Sequence, residues 1–158
     1  MPFPVLTGTS LLGDAVRLPV DLPAERTLVL CAFKQRQQGQ VDRWIARAVG
    51  ELGVASTPLG LAADATTAVI EVPCLGRRWR PVRRLIDGGM ASSIAQPPIL
   101  ARTITVYDDV GAILRALGAA SNDEVQARVV RRDGEVLAAA AGEPEGPGWD
   151  AIADALVG

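Results

Sequence analysis

The sequence predicts an α/β fold: a central mixed sheet with flanking helices in three layers and a C-terminal antiparallel hairpin. Three observations predict it. Residues 28–33 form an unbroken apolar run of strand length, and Val41, Trp44, Ile45, Ala48, Val49 and Leu52 follow at the 3/4 spacing of a helix lying on a sheet. A second apolar run, 67–72, lies beyond that helix, and two strands joined through such a helix pair in parallel by a right-handed crossover. Near the end, Asp133-Gly134 between strand-forming runs is a hairpin signal.

Each element has its own warrant. Residues 1–14 carry Pro2, Pro4, Gly8 and Gly13 and read as an irregular arm whose Phe3, Val5 and Leu6 tuck onto the domain. Residues 15–20 suit a short edge strand stopped by Asp21-Leu-Pro23, and 27–33 the central strand. The first long helix spans 38–52, with Asp42 in its first turn and Gly53 as C-cap. Residues 54–65 are turn-rich, with Pro58, Gly60 and Asp64, and the next strand, 67–72, closes at Pro73.

Trp79-Arg-Pro81 opens a second helix, where an early proline costs no intrahelical bond. It is expected to turn Val82, Leu85, Ile86 and Met90 inward and to be interrupted at Asp87-Gly-Gly89. After the break at Pro97-Pro98, residues 99–107 read as the third strand, with Thr103, Thr105 and Tyr107 alternating against Ile104 and Val106. Asp108 or Asp109 caps a short helix over 110–117, ended by Gly118. Strands over 125–130 and 135–140 form the hairpin. A loop over 142–148 leads to a closing helix carrying Trp149, Ile152, Ala153, Leu156 and Val157.

Composition narrows the chemistry. With 158 residues, 49% hydrophobic and 22% charged, the chain is expected to fold as one domain, 1–158, without metals or disulfides. A net charge of -2 gives no general drive toward nucleic acid. Histidine is absent, which removes the usual general base, the commonest metal ligand and any histidine triad. Cys31 and Cys74 sit in or beside apolar runs and are expected to be buried thiols; a disulfide would need their Cα atoms within about 7 Å. No charged leader precedes an apolar core, and no apolar run reaches about 18 residues. The expectation is a cytoplasmic protein with no membrane insertion, no metal and no cofactor.

The strand-helix-strand unit, the later Asp133-Gly134 hairpin, Gly142 and the final helix resemble the thioredoxin-like and peroxiredoxin-like superfamily. More narrowly, Phe33, Gly39-Gln-Val-Asp42, Trp44, Ile70-Glu-Val-Pro73, Gly88-Gly-Met90 and Thr103-Ile-Thr-Val-Tyr-Asp108 occur in the order of the mitochondrial ATP synthase assembly factors of thioredoxin fold and their bacterial relatives, which they resemble. The superfamily resemblance implies a thioredoxin-like three-layer fold whose redox members carry a cysteine in the loop entering the first helix. Here that loop is Lys34-Gln-Arg-Gln-Gln-Gly-Gln40, and Cys31 lies before it inside the strand. The proline that precedes the hairpin in redox members is missing from Ser121-Asn-Asp-Glu124. The narrower resemblance implies a non-catalytic fold that holds a partner protein.

Two surfaces are candidates for that contact. The first loop presents Lys34, Arg36, Gln38 and Gln40 beside the N-H groups of a helix start, which also suits a small anion. The second is a dense basic stretch, Arg77, Arg78, Arg80, Arg83 and Arg84 around Trp79, in which Arg80 and Arg84 are a helical turn apart. Asp123, Glu124, Glu143, Glu145 and Asp150 are expected to form an opposing acidic surface that permits weak homodimerisation. The leading expectation is a protein-binding or assembly role, with no strong nucleic-acid signal. The alternatives are a thiol-dependent oxidoreductase using Cys31 or Cys74, and a small-anion-binding protein.

Overall fold

The two longest strands pair in parallel at the heart of a mixed sheet: β3 (Arg26–Ala32) and β4 (Thr67–Leu75), with Leu30 opposite Glu71 and Cys31 opposite Val72. The computed structural model describes residues 1–56, 66–94 and 96–158. Around this pair lie β1 (Leu6–Ser10), β2 (Ala15–Leu18), β5 (Ile104–Tyr107), β6 (Gln126–Arg131) and β7 (Val136–Ala141). The sheet order is β2-β1-β5-β4-β3-β6-β7. β5 runs parallel to β4, whereas β6 and β7 form the antiparallel hairpin expected from Asp133-Gly134.

Strand alternation sorts the core into two clusters, one on each face. Leu28, Leu30, Val69, Ala127 and Val129 meet α1 (Gln38–Leu52) and α5 (Gly146–Val157) through Trp44, Ile45, Trp149 and Ile152. The rings of Trp44 and Trp149 lie 6.0 Å apart, and the buried indole N–H of Trp44 donates to the Gly142 carbonyl at 2.8 Å. On the opposite face, Val29, Cys31, Val72, Cys74 and Val130 meet Ile113 and Leu117 of α4 (Val110–Leu117). The result is three layers, with helices on both sides of the sheet.

Local signals are realised where they rest on backbone chemistry. Gly53 and Gly118 both adopt the left-handed conformation that ends a helix, and the Asp109 carboxylate accepts the Ala112 N–H at the start of α4.

Four expectations are corrected. Residues 1–14 are not wholly irregular, because Leu6–Ser10 is a strand paired with both β2 and β5. Gly8 permits that approach: a Cβ there would stand 2.5 Å from the Thr105 carbonyl oxygen. The strand expected to close at Pro73 continues to Leu75, with Pro73 in register opposite Ala32. The stretch 99–102, expected as strand, belongs to α3 (Pro97–Arg102), which Pro97 opens while the Gln96 carbonyl accepts the N–H groups of Ile99 and Leu100. Finally, α2 (Arg83–Ile94) runs unbroken through Asp87-Gly-Gly89, following a 3-10 segment, Arg77–Val82. It has no buried residue: Leu85, like Val82 at the end of the 3-10 segment, faces solvent, and Ile86 and Met90 are only half-buried. Of the turn-rich expectation over 54–65, residues 57–65 with Pro58, Gly60 and Asp64 lie outside the described residues.

Candidate functional site

The loop between β3 and α1 tightens into a 3-10 turn, Gln35–Gln37, whose last side chain holds it shut. The carboxamide oxygen of Gln37 accepts the N–H groups of Phe33 at 2.8 Å and Lys34 at 3.3 Å, and its nitrogen donates to the Asn122 carbonyl at 2.7 Å. Lys34 Nζ reaches Asp123 at 2.6 Å and Arg36 reaches the same carboxylate at 3.4 Å. The bond from Lys34, then its charge, holds the Asp123 carboxyl below the usual carboxylate range. Gln40 accepts the Val125 N–H at 3.1 Å, and Gln38 donates to Asp42 at 2.9 Å. Thus the four loop residues singled out in sequence face the segment before the hairpin or their own helix. The cations there already have an anion, Asp123. Glu143, another member of the expected acidic surface, is held bidentately by Arg43 at 2.7 and 2.6 Å.

The thiols lie elsewhere. Cys31 and Cys74 point into the α4-side cluster, with the sheet between them and α1, so neither reaches the helix start that would lower a thiol pKa. Both are buried and unbonded. The Cys31 sulfur beside it, together with burial, pushes the Cys74 thiol well above its ordinary value, and its S–H donates to the Val72 carbonyl at 3.5 Å. No thiol stands in the loop, and its one amine, Lys34, is paired with Asp123.

The basic stretch is the open surface. Every residue over 77–85 is exposed, including Trp79 at 43%, Val82 at 43% and Leu85 at 78%. In a 3-10 segment residues three apart eclipse, which aligns Trp79 with Val82. The arginines divide into two groups. Arg77 pairs with Asp108 at 2.9 Å, and Arg80 donates to the Tyr107 carbonyl at 2.7 Å, so both tie the segment to the end of β5. Asp108 is held below its usual range first by the Asp109 N–H and then by Arg77. Arg78 lies over the Trp79 ring at 5.0 Å, Arg83 donates only to the Arg80 carbonyl, and Arg84 makes no ion pair among the described residues. Beneath, Asp87 accepts the hydroxyls of Tyr107 at 2.6 Å and Thr105 at 3.0 Å; burial and this carboxylate push the Tyr107 phenol up.

Two buried charges had not been singled out in sequence. Glu71, 4% exposed, faces Arg102 at 3.5 Å, and Arg102 also donates to the Ser56 carbonyl at 2.8 Å. Burial raises the Glu71 carboxyl above its usual range although Arg102 opposes this. Arg128, 5% exposed, sits on the α4 side of β6. The signal for both was a charged residue interrupting an apolar strand run, Glu71 within 67–72 and Arg128 within 125–130.

No protein-family model matches the chain, and no curated protein matches it. Solved structures do. The exposed lipoprotein thioredoxin Etrx1 of Streptococcus pneumoniae superposes with a TM-score of 0.57 at 14% identity, over 98% of each chain. A putative electron transfer protein of Aquifex aeolicus gives 0.62 at 11%, over 99% of this chain and 90% of that one. BsSco, of the Sco family of cytochrome c oxidase assembly proteins, gives 0.55 at 13%, over 98% and 91%. Among the described residues no helix is long and apolar enough to cross a membrane. At such identities the likeness establishes architecture alone, and the chain has a thioredoxin-like fold with no cysteine in the loop that enters α1.

Proposed function

We propose that this chain is a non-catalytic thioredoxin-like module with a protein-binding or assembly role, which holds an acidic, partly apolar segment of a partner protein on the surface of the 3-10 segment and α2. The observation that carries the reading is the alignment of exposed Trp79, Val82 and Leu85 beside Arg78, Arg83 and Arg84, cations with no carboxylate partner among the described residues. An aromatic anchor flanked by guanidinium groups is the composition of an interface centre, where water is displaced from the ring and carboxylates accept paired bonds. The resemblance of the motif order to that of ATP synthase assembly factors supports an assembly role, and the closed, cysteine-free loop supports a role without redox chemistry.

Arg83→Glu/Arg84→Glu and Trp79→Ala are the variants that test it, since none removes a bond to the sheet. Native purification of the tagged chain should retain a specific partner that each variant loses by about tenfold or more, with stronger loss at high salt. A partner set unchanged in both variants rejects this surface.

Thiol-dependent oxidoreduction using Cys31 or Cys74 is a second reading, and the observation behind it is that both free thiols lie in the same core cluster. Rapid alkylation of one thiol in the native protein, with peroxide or disulfide turnover abolished by its serine variant, would replace the first reading with this one.

A further inference from the structure

The guanidinium of Arg128 is a buried cation with no anionic partner among the described residues. Its Nη1 donates to the carbonyls of Ala127 at 2.8 Å and Ala140 at 3.1 Å; its Nη2 donates to the Leu117 carbonyl at 2.8 Å and the Gln126 side-chain oxygen at 3.1 Å. All four acceptors are neutral. The Leu117 carbonyl is a free acceptor at the C-terminal end of α4, where a positive charge is favoured. The Nε–H has no acceptor among the described residues and is not one of the buried unpartnered atoms, so it is the donor left open to solvent. Burial draws the group's proton affinity below that of an ordinary arginine, as expected for a charge removed from water without a carboxylate.

This arginine lines a cleft of about 240 Å³ whose other walls are apolar, among them Pro2, Pro4, Leu117, Leu137 and Ala139. The cleft lies between the first residues of the chain, α4 and the edge strand β7, where Leu137 and Ala139 remain exposed. Pockets for drug-sized ligands run from about 300 Å³ upward, so the space suits a smaller guest. Its side chains are apolar apart from Arg128; the second cation at the lining, the Met1 α-ammonium, is already paired with Glu135 at 2.9 Å, which leaves Arg128 as the cation without a carboxylate. We propose that this cleft binds a medium-chain aliphatic carboxylate, with the head group at Arg128 and the chain along Pro2, Pro4, Leu137 and Ala139. The carboxylate supplies the missing anion, and the chain removes the apolar walls from water. This site is separate from the α2 surface and does not depend on the protein-binding reading.

Titration calorimetry with octanoate and with octanol, its uncharged counterpart, tests the assignment. Octanoate should bind saturably with one site per chain, and octanol about tenfold more weakly or not at all, because the charge-assisted bond is lost. Because Arg128 is built into the core, its replacement risks the fold; Ala139→Trp, which fills the cleft from an exposed position, and Leu137→Asp, which sets a negative charge at its wall, serve instead. Each, with circular dichroism showing a folded chain, should weaken octanoate by about tenfold or more. Arg83→Glu/Arg84→Glu should leave it unchanged. Failure of the folded wild-type chain to take up octanoate, equal affinity for octanol, undiminished binding in both cleft variants, or loss of binding in the α2 variant would each overturn the proposal.

Discussion

Gln37 is a polar residue in a polar loop, yet it is only 3% exposed and satisfies two backbone N–H groups and a carbonyl across the loop. Removing its carboxamide leaves buried groups without partners, which costs about 1–3 kcal/mol for such a group. Gln37→Ala should therefore lower unfolding stability in urea by that order, while Gln35→Ala, on the same turn, changes it little. Glu71 gives a pH-dependent prediction. Its folded-state carboxyl lies above the usual range, so between the unfolded and folded values the native chain binds more protons than the unfolded one, and stability falls as pH rises through that window. Measured against Glu71→Gln from about pH 4 to 8, the wild-type chain should lose relative stability as pH rises; a difference flat with pH would show that burial does not control this carboxyl. The role of Gln37 is not legible in sequence, because a glutamine looks alike whether water or a folded neighbour satisfies it; Glu71 is marked only as a charge within an apolar run, and its partner Arg102 comes from the fold.

At the scale of elements, α1 and α2 have similar apolar spacing and opposite burial. α1 places Val41, Trp44, Ile45 and Ala48 against the sheet, so its apolar spacing reports burial. In α2 the spacing is similar, but the end of β5 holds the segment through Arg80, Tyr107 and Asp87, which leaves Val82 and Leu85 outward. Hydrogen bonds rather than apolar contact set its orientation. Trp44→Ala should accordingly cost about 3–5 kcal/mol, whereas Leu85→Glu should stay within about 0.5 kcal/mol, a contrast measurable by chemical denaturation. The cap of α4 was legible from its sequence, and Asp109→Ala should cost about 1 kcal/mol through loss of the Ala112 N–H acceptor. In the third strand, proline at the start of α3 outweighed the β propensity of residues 99–102, and only Ile104–Tyr107 joined the sheet.

For the molecule as a whole, the sheet separates the thiols from α1. Cys31 and Cys74 should resist a thiol reagent in the native state and react in step with global unfolding in urea, a measurement that also bears on the redox reading. Periodicity and turn chemistry by themselves determined the α/β class, β3 with α1, the parallel second strand, α4 and its caps, and the final hairpin with α5, because each depends on near-neighbour spacing along the chain. Tertiary structure alone decided the strand role of Leu6–Ser10, which needs β2 and β5 as partners, and the closure of the Lys34–Gln40 loop by Asn122, Asp123 and Val125. It also decided which arginines are spent on the fold and which have no carboxylate partner among the described residues, and it placed Arg128 beside an apolar cleft. The physical reason is that a charge's meaning lies in the groups that the fold brings to it from distant positions, which local spacing does not encode.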